Sequence, residues 1–194
     1  MKSIAVFCGS SVGKNGDFFS TARALGSFLA DNKIRVIYGG AKIGLMGAVA
    51  NGALENEGEV VGVIPDFLQT KEVAHDSLTE LITVKTMHER KTKMSDLADG
   101  FIVLPGGFGT MEEFFEILTW AQLGLHKKPI ALLNIDRYYD ALIDLFDKMI
   151  SENLIKESNR QMVLISDTVE TLFLQMKNYQ APKVKLWISE TERT

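Results

Sequence analysis

The stretch Phe101-Ile102-Val103-Leu104-Pro105-Gly106-Gly107-Phe108-Gly109-Thr110-Met111-Glu112-Glu113 decides the fold class. An apolar run, a glycine-rich turn and a segment with helical apolar spacing follow one another, which is typical of a strand that leads directly into a helix. Because residues 101–104 are all apolar, this strand should be buried on both faces, as strands of a parallel sheet are. The sequence therefore predicts a βα unit with a strand at 101–104 and a helix at 111–123.

The same alternation extends in both directions from this unit. Further strands are predicted at 4–8, 34–38, 60–64, 81–84 and 130–134, and further helices at 18–30, 45–56, 87–97, 139–150 and 169–179. The segment 66–79 is polar and irregular. Repeated βα units predict an α/β fold, a Rossmann-like three-layer α/β/α sandwich with a mainly parallel sheet.

Three turns of this predicted sheet are candidates for a ligand site. They are Gly9-Ser10-Ser11, Gly39-Gly40 and Pro105-Gly106-Gly107, and each follows a predicted strand. In open α/β sheets, ligands bind beyond the carboxyl ends of the strands, where such loops converge. We therefore expect the site at this edge of the sheet.

Length and composition favour an ordinary globular protein. The chain has 194 residues, 46% hydrophobic and 24% charged, and we expect one domain at 1–181 and a C-terminal tail at 182–194. A net charge of −4 gives no basic footprint for nucleic acid. No apolar stretch has the length of about 20 residues that crosses a membrane. Cys8 is the only cysteine, which favours a reducing compartment, the cytoplasm.

No metal or cofactor is expected from the sequence. His75, His88 and His126 lie far apart and have no metal-ligand spacing with Cys8. Cys8 ends a predicted strand without an identifiable base partner, so a buried structural thiol is the better interpretation than a nucleophile.

The turn Pro105 to Glu113 predicts a phosphate site. Three glycines allow a close approach to the backbone, and the first amides of a helix are a ready anion site. The alternative is purely structural, because Thr110-x-x-Glu113 is also a capping box, in which Thr110 caps the helix and Glu113 reaches back to the Thr110 amide. That alternative leaves the three glycines unexplained, so phosphate binding is the stronger hypothesis.

A second candidate is Thr86-Met87-His88-Glu89-Arg90-Lys91, which opens a predicted helix with a capping box from Thr86 to Glu89. Two cations near a helix start oppose the macrodipole, which suggests an anionic ligand. On its own, the pair Arg90-Lys91 is more often a solvated surface pair.

The turn Tyr38 to Gly47 excludes two common nucleotide motifs. Its glycine spacing does not fit the dinucleotide fingerprint, and it lacks the Gly-Lys-Ser/Thr ending of a P-loop. Close packing of helix on sheet is the structural explanation for Gly44 and Gly47.

Together these three segments resemble the LONELY GUY (LOG) family, over the chain from the first strand to about Tyr179. The resemblance rests on Pro105-Gly106-Gly107-x-Gly109-Thr110-x-x-Glu113, on Tyr38-Gly39-Gly40 with Gly44-Leu45-Met46-Gly47, and on Met87-His88-Glu89-Arg90-Lys91. It implies a homodimeric phosphoribohydrolase that splits cytokinin riboside 5′-monophosphates into free base and ribose 5-phosphate.

The resemblance also implies roles for individual residues. Arg90 and Glu113 would be catalytic, and the substrate contacts would come from Arg90 and Glu113 together with Glu72, Lys91, Gly107, Phe108, Gly109, Thr110, Met111, Glu112 and Thr119. Members of the family have been called lysine decarboxylases, yet no residue here marks a lysine Schiff-base site for pyridoxal phosphate.

These assignments lead to a functional hypothesis with one main rival, besides amino-acid decarboxylation as a second enzymatic alternative. Glu113 would stabilise positive charge on the ribose while the base leaves, and the 5′-phosphate would contribute remote binding energy. The alternative is a nucleotide-binding sensor that keeps the phosphate site but does no chemistry.

Overall fold

The computed structural model describes residues 1–69 and 74–183. Seven strands form one sheet in which every neighbouring pair is parallel. The strands are β1 Ser3–Phe7, β2 Arg35–Tyr38, β3 Val60–Pro65, β4 Glu80–Val84, β5 Gly100–Val103, β6 Ile130–Leu133 and β7 Val163–Ser166. The α/β prediction with a mainly parallel sheet is confirmed.

The helices connect these strands. They are α1 Gly16–Asp31, α2 Gly44–Leu54, α3 Met87–Leu97, α4 Phe108–Gln122, α5 Asp140–Ser151, α6 Glu157–Arg160 and α7 Val169–Lys177, with short 3-10 helices at Asp66–Leu68 and Ile135–Arg137. The predicted elements are all present, and β7 and α6 were not predicted. Within 66–79, the described part also contains an antiparallel bridge between Ala41 and Ala74.

Helices cover both faces of the sheet. Successive residues of a strand point to opposite faces, so each strand contributes side chains to both cores. On one side Ile4 and Val6 of β1 pack with α1, α2 and α7. On the other side Ala5 and Phe7 pack with α3, α4 and α5. The three-layer sandwich is therefore confirmed, with one apolar core on each side of the sheet.

The strand order is β4-β3-β2-β1-β5-β6-β7. The chain therefore adds β2, β3 and β4 in turn on one side of β1, and then adds β5, β6 and β7 on the other side. Between β1 and β5 the direction of winding reverses, and a crevice opens beyond the carboxyl ends of these two strands. In the described residues, no helix is long and apolar enough to span a membrane.

Candidate active site

The loops after β1, β2 and β5 meet at this crevice. The Gly9 N–H donates to the Pro105 carbonyl at 3.1 Å, and the Leu45 N–H donates to the Gly9 carbonyl at 3.1 Å. Gly44 has φ +62°, and a Cβ there would lie 2.2 Å from the Ser10 backbone. Gly44 therefore lets the β1 and β2 loops touch, which differs from the predicted packing of helix on sheet.

Helix α4 begins three residues earlier than predicted. Gly107 is its N-cap and has extended backbone, and no side chain makes a capping hydrogen bond there. The Met111 N–H already donates to the Gly107 carbonyl at 3.1 Å. The predicted capping box of Thr110 and Glu113 is therefore wrong, because Thr110 lies inside the first turn with its side chain buried.

The three glycines of the turn have different reasons to be glycine. A Cβ on Gly106 would lie 2.1 Å from the Thr110 hydroxyl oxygen, so internal packing excludes a side chain. A Cβ on Gly107 or Gly109 would meet nothing within 4 Å. Only the first glycine is explained by the packing of the protein itself, and the other two leave open space at the head of a helix.

Arg90 is held at the same edge by helix α3. Thr86 caps this helix by accepting from the Glu89 N–H at 3.0 Å, as predicted. The Glu89 carboxylate accepts from the Lys85 N–H at 2.8 Å and not from the predicted Thr86 N–H. The capping fixes the first turn of α3 and places Arg90 at its fourth residue.

The Arg90 guanidinium contacts the loop that follows β2 and the backbone of strand β3. Its Nε donates to the Val63 carbonyl at 3.0 Å and its Nη2 to the Gly39 carbonyl at 2.9 Å, and the residue is 4% exposed. A Cβ on Gly39 would lie 2.1 Å from Nη2. Gly39 thus makes room for the guanidinium, and the alternative of a solvated surface pair is wrong.

Lys91 joins α3 to α4 through two carboxylates. Its Nζ lies 2.5 Å from Glu112 Oε1 and 2.9 Å from Glu116 Oε2. Burial lowers the pKa of Lys91, but hydrogen bonds to Glu112 and Glu116 and their charges outweigh burial, so its pKa is above the ordinary value. Glu116 was not predicted, although its spacing of four from Glu112 places both on one helix face.

The charges of Arg90 and Glu113 both act on Cys8, the residue that follows β1. Burial raises the pKa of the Cys8 thiol, the negative charge of Glu113 raises it further, and the positive charge of Arg90 lowers it. The charges of both predicted catalytic residues therefore affect the pKa of Cys8. Its raised pKa disfavours the thiolate, which agrees with a structural thiol rather than a nucleophile.

Of the remaining residues predicted to contact the substrate, those that the structure describes lie at different distances from the Pro105 turn. Phe108 is 96% exposed beside the turn, and Met111 is half-buried one turn into α4. Thr119 lies ten residues beyond Gly109, about 15 Å along the helix axis, and the structure of one chain does not bring it to the turn. Glu72 lies outside the described residues, as does most of the predicted tail.

The structure also bears on metals. Among residues 1–69 and 74–183, no group of three or more His, Cys, Asp or Glu side chains is arranged to hold a metal ion.

Comparisons with known proteins agree on one family. A family model described as "Possible lysine decarboxylase" matches residues 46–176. A cytokinin riboside 5′-monophosphate phosphoribohydrolase of Rhodococcoides fascians is 47% identical over 170 residues, 87% of this chain and 86% of that protein. The LOG protein of the same name from Oryza sativa subsp. japonica is 42% identical over 178 residues, 92% of this chain and 74% of that protein.

Solved structures share the fold at lower identity. The molybdenum cofactor carrier protein of Chlamydomonas reinhardtii has a TM-score of 0.70 and 19% identity, covering 91% of this chain and 96% of that chain. The molybdenum cofactor binding protein of Rippkaea orientalis has a TM-score of 0.67 and 22% identity, covering 92% and 97%. These identities support the fold alone, whereas the family model and the closer relatives show that the chain belongs to the LOG family of cytokinin riboside 5′-monophosphate phosphoribohydrolases.

Proposed function

We propose that this protein hydrolyses the N-glycosidic bond of a nucleoside 5′-monophosphate, such as AMP or isopentenyl-AMP, and releases the free base and ribose 5-phosphate. The observation that carries the proposal is the open space at Gly107 and Gly109 at the head of α4. Glycine in a helical turn is unfavourable by about 0.5–1 kcal/mol relative to alanine, and among the described residues no atom lies within 4 Å of a Cβ on Gly109. The relatives named phosphoribohydrolases supply the substrate class.

The phosphoryl group would bind to the first amides of α4. The N–H groups of Gly107, Phe108, Gly109 and Thr110 precede the first helical hydrogen bond, which Met111 donates to Gly107. These amides and the helix dipole favour an anion, and the absence of side chains at two positions lets oxygens come close. We propose that this turn binds the 5′-phosphate.

Glu113 would act on the ribose. It lies four residues beyond Gly109 and therefore on the same face of α4, one turn deeper. As the bond between C1′ and the base breaks, its electrons leave with the base and positive charge develops on the ribose, which a carboxylate stabilises. Glu113 also accepts a proton from the water whose oxygen attacks C1′, and the departing base takes up a proton.

Arg90 would keep the carboxylate in place. The positive charge of its guanidinium is held in place by hydrogen bonds to the Gly39 and Val63 carbonyls. We propose that this charge orients Glu113 or a phosphate oxygen through the planar fork of the guanidinium.

The other predicted contacts keep their proposed roles. Lys91 would bind the phosphate by exchanging its more exposed partner, Glu112, for a phosphate oxygen while it keeps Glu116. Phe108, Met111 and Glu72 would line the rest of the nucleotide site. Domain 1–181 would form the whole catalytic unit of each chain.

We also propose that the chain is a cytoplasmic homodimer. Thr119 lines an apolar groove of about 180 Å³ with Phe115, Leu118, Phe146 and Met149. Apolar area on an exposed helix face is typical of an interface, and a second chain seated there would cover it and could bring Thr119 to a ligand. Light scattering of the wild type and of Phe115→Glu tests this, because the charged variant should be monomeric.

Lysine decarboxylation is not supported by the residues of this site. A Schiff base to pyridoxal phosphate needs a lysine that loses its proton readily. The pKa of Lys91 is raised by its two carboxylate partners, so the amine stays charged. Lys91 therefore does not fit this cofactor chemistry.

The test is incubation with AMP, isopentenyl-AMP and adenosine, followed by chromatography of the free base. We expect base release from the monophosphates and little from adenosine, because the nucleoside lacks the phosphate that the turn binds. Glu113→Gln should bind AMP and lose most turnover. Tight AMP binding by the wild type without release of base would support the sensor instead, and equal turnover of adenosine and AMP would contradict the phosphate site.

A further inference from the structure

Two neighbouring tyrosines between β6 and α5 hold carbonyls of the Pro105 turn. The Tyr139 hydroxyl donates to the Leu104 carbonyl at 2.6 Å, and the Tyr138 hydroxyl donates to the Gly106 carbonyl at 2.5 Å. Tyr139 is buried, whereas Tyr138 is 43% exposed. The two bonds have the same chemistry and lie two residues apart, but they act on peptide units of different kinds.

The Gly106 carbonyl and the Gly107 N–H belong to one planar trans peptide, so they point in opposite directions. A hydroxyl that holds the carbonyl therefore also fixes the direction of the N–H. A Cβ on Gly107 would meet nothing within 4 Å, so a ligand can approach the backbone that carries this N–H. The Leu104 carbonyl, in contrast, precedes Pro105, which has no N–H, and Tyr139 therefore orients no donor.

The backbone before Tyr138 is strained. Asp136 has φ +48° and Arg137 has φ +59°, a left-handed conformation that residues with a Cβ rarely adopt. Surrounding contacts hold this bend, since the Asp136 carboxylate accepts from Asn15 Nδ2 at 2.7 Å. Such strain persists where the surrounding structure imposes it, often next to functional sites.

The Tyr138 ring is fixed on both sides as well. The Tyr139 ring lies edge-on at 4.9 Å between centroids, and the Phe18 ring lies edge-on at 5.5 Å. A half-exposed side chain is thus held in one orientation by aromatic contacts and by a strained turn. The common result of these contacts is the position of one hydroxyl at the Gly106 carbonyl.

We propose that Tyr138 is a positioning residue for the phosphoryl group. Its hydroxyl fixes the plane of the Gly106–Gly107 peptide, so that the Gly107 N–H is aligned with the anion before the anion binds. Tyr138 acts through this peptide and does not touch the reacting atoms. The inference rests on the proposed function, because it assigns a cause to the geometry of the phosphate site.

The experiment compares Tyr138→Phe with Tyr139→Phe. Each variant removes one hydroxyl that donates to a carbonyl of the same turn, and each keeps the ring. The measurements are KM and kcat for AMP, the melting temperature, and the shift of the Gly107 amide in ¹⁵N NMR spectra during titration with inorganic phosphate.

Loss of one aligned donor should weaken binding about tenfold. We expect Tyr138→Phe to raise KM for AMP by this factor with a smaller change in kcat, to reduce the phosphate-induced shift of Gly107, and to melt close to the wild-type temperature. Tyr139→Phe should melt at a lower temperature, because it leaves a buried carbonyl without its partner, and should keep the KM and the Gly107 shift of the wild type.

Three outcomes overturn the inference, and they differ in what they say about the function. If the wild type binds phosphate at Gly107 and Tyr138→Phe does so equally well, the positioning role is wrong and the proposed function stands. If the Gly107 amide of the wild type does not respond to phosphate or AMP, the positioning role and the phosphate site at this turn are both wrong, and base release from AMP then decides the proposed hydrolysis separately. Equal KM effects of the two variants would also refute the role, because peptide orientation predicts a difference.

Discussion

Replacement of Gly109 by alanine should change stability and substrate binding in opposite directions. Gly109 is the second residue of α4, and a Cβ there meets nothing within 4 Å. Alanine is more favourable than glycine in a helix by up to about 1 kcal/mol, because glycine loses more backbone entropy on folding. The variant should therefore be more stable by about 0.5–1 kcal/mol, which raises the melting temperature by roughly 1–4 °C for a domain of this size.

The same methyl group should weaken nucleotide binding. It would occupy the space through which a phosphoryl oxygen reaches the amides at the head of α4. Loss of even one charge-assisted hydrogen bond weakens binding by about 1.5–3 kcal/mol, or roughly tenfold to a hundredfold. Differential scanning fluorimetry measures the first effect, and KM for AMP together with calorimetry measures the second.

Gly16→Ala is the matched control. Gly16 is the first residue of α1, a Cβ there also meets nothing within 4 Å, and Gly16 is not among the predicted site residues. It should gain similar stability and keep the KM of the wild type. If Gly109→Ala melts higher and binds AMP as tightly as the wild type, the open space at Gly109 has no role in phosphate binding and the reasoning fails.

Three further predictions test other contacts, one of them with a control variant. Gly39→Ala should lower both activity and melting temperature, because a Cβ would lie 2.1 Å from Arg90 Nη2 and displace the guanidinium; an unchanged melting curve would contradict this. Lys91→Met should destabilise the protein by roughly 1–3 kcal/mol in urea unfolding, because Glu112 and the half-buried Glu116 lose their partner. Lys148→Met, at an exposed pair, should cost less. For His126→Gln we expect a flatter loss of stability below about pH 6.5.

The sign of this pH effect follows from the burial of His126. Burial lowers its pKa, and its Nδ1 accepts from the Lys128 N–H at 3.2 Å, so the folded protein holds the neutral ring. Below the ordinary histidine pKa of about 6.5 the unfolded chain binds a proton that the folded chain does not, and stability falls as the pH falls. Melting temperatures of both proteins from pH 8 to pH 5 measure the difference, and parallel curves would exclude a contribution from His126.

The sequence predicts elements well where a local signal marks their ends. Both ends of α3, Met87 and Leu97, were predicted, because Thr86 gives a clear start. The start of α4 was missed, because no side chain caps Gly107 and a glycine-rich turn looks like a loop. Strand β7 was missed since Val163–Ser166 has only four residues and is only partly buried, and its neighbour β6 defines it more than its own pattern does.

The sequence predicted which residues form the candidate site, but it did not predict the hydrogen bonds that hold them in place. Arg90 and Lys91 were singled out by their position near a helix start, but the hydrogen bonds from Arg90 to the backbone carbonyls of Gly39 and Val63 were not predicted. A carbonyl has no sequence signature, so only the parallel neighbours β2 and β3 reveal this pair of acceptors. The Tyr138 contact was missed for the same reason, because its acceptor is the Gly106 carbonyl.

These carbonyl anchors matter for the chemistry. The carbonyls of Gly39 and Val63 accept hydrogen bonds from the guanidinium and so fix its position relative to the sheet. Gly39 directly follows β2, and Val63 lies within the neighbouring strand β3. The sheet therefore sets the position of the guanidinium charge, and α3 carries the Arg90 side chain. Arg90 lowers the pKa of the buried Cys8 thiol and Glu113 raises it, so both charges act on this residue. Under the proposed mechanism, Arg90 held in this way would orient Glu113, and Glu113 would stabilise the positive charge of an oxocarbenium-like transition state.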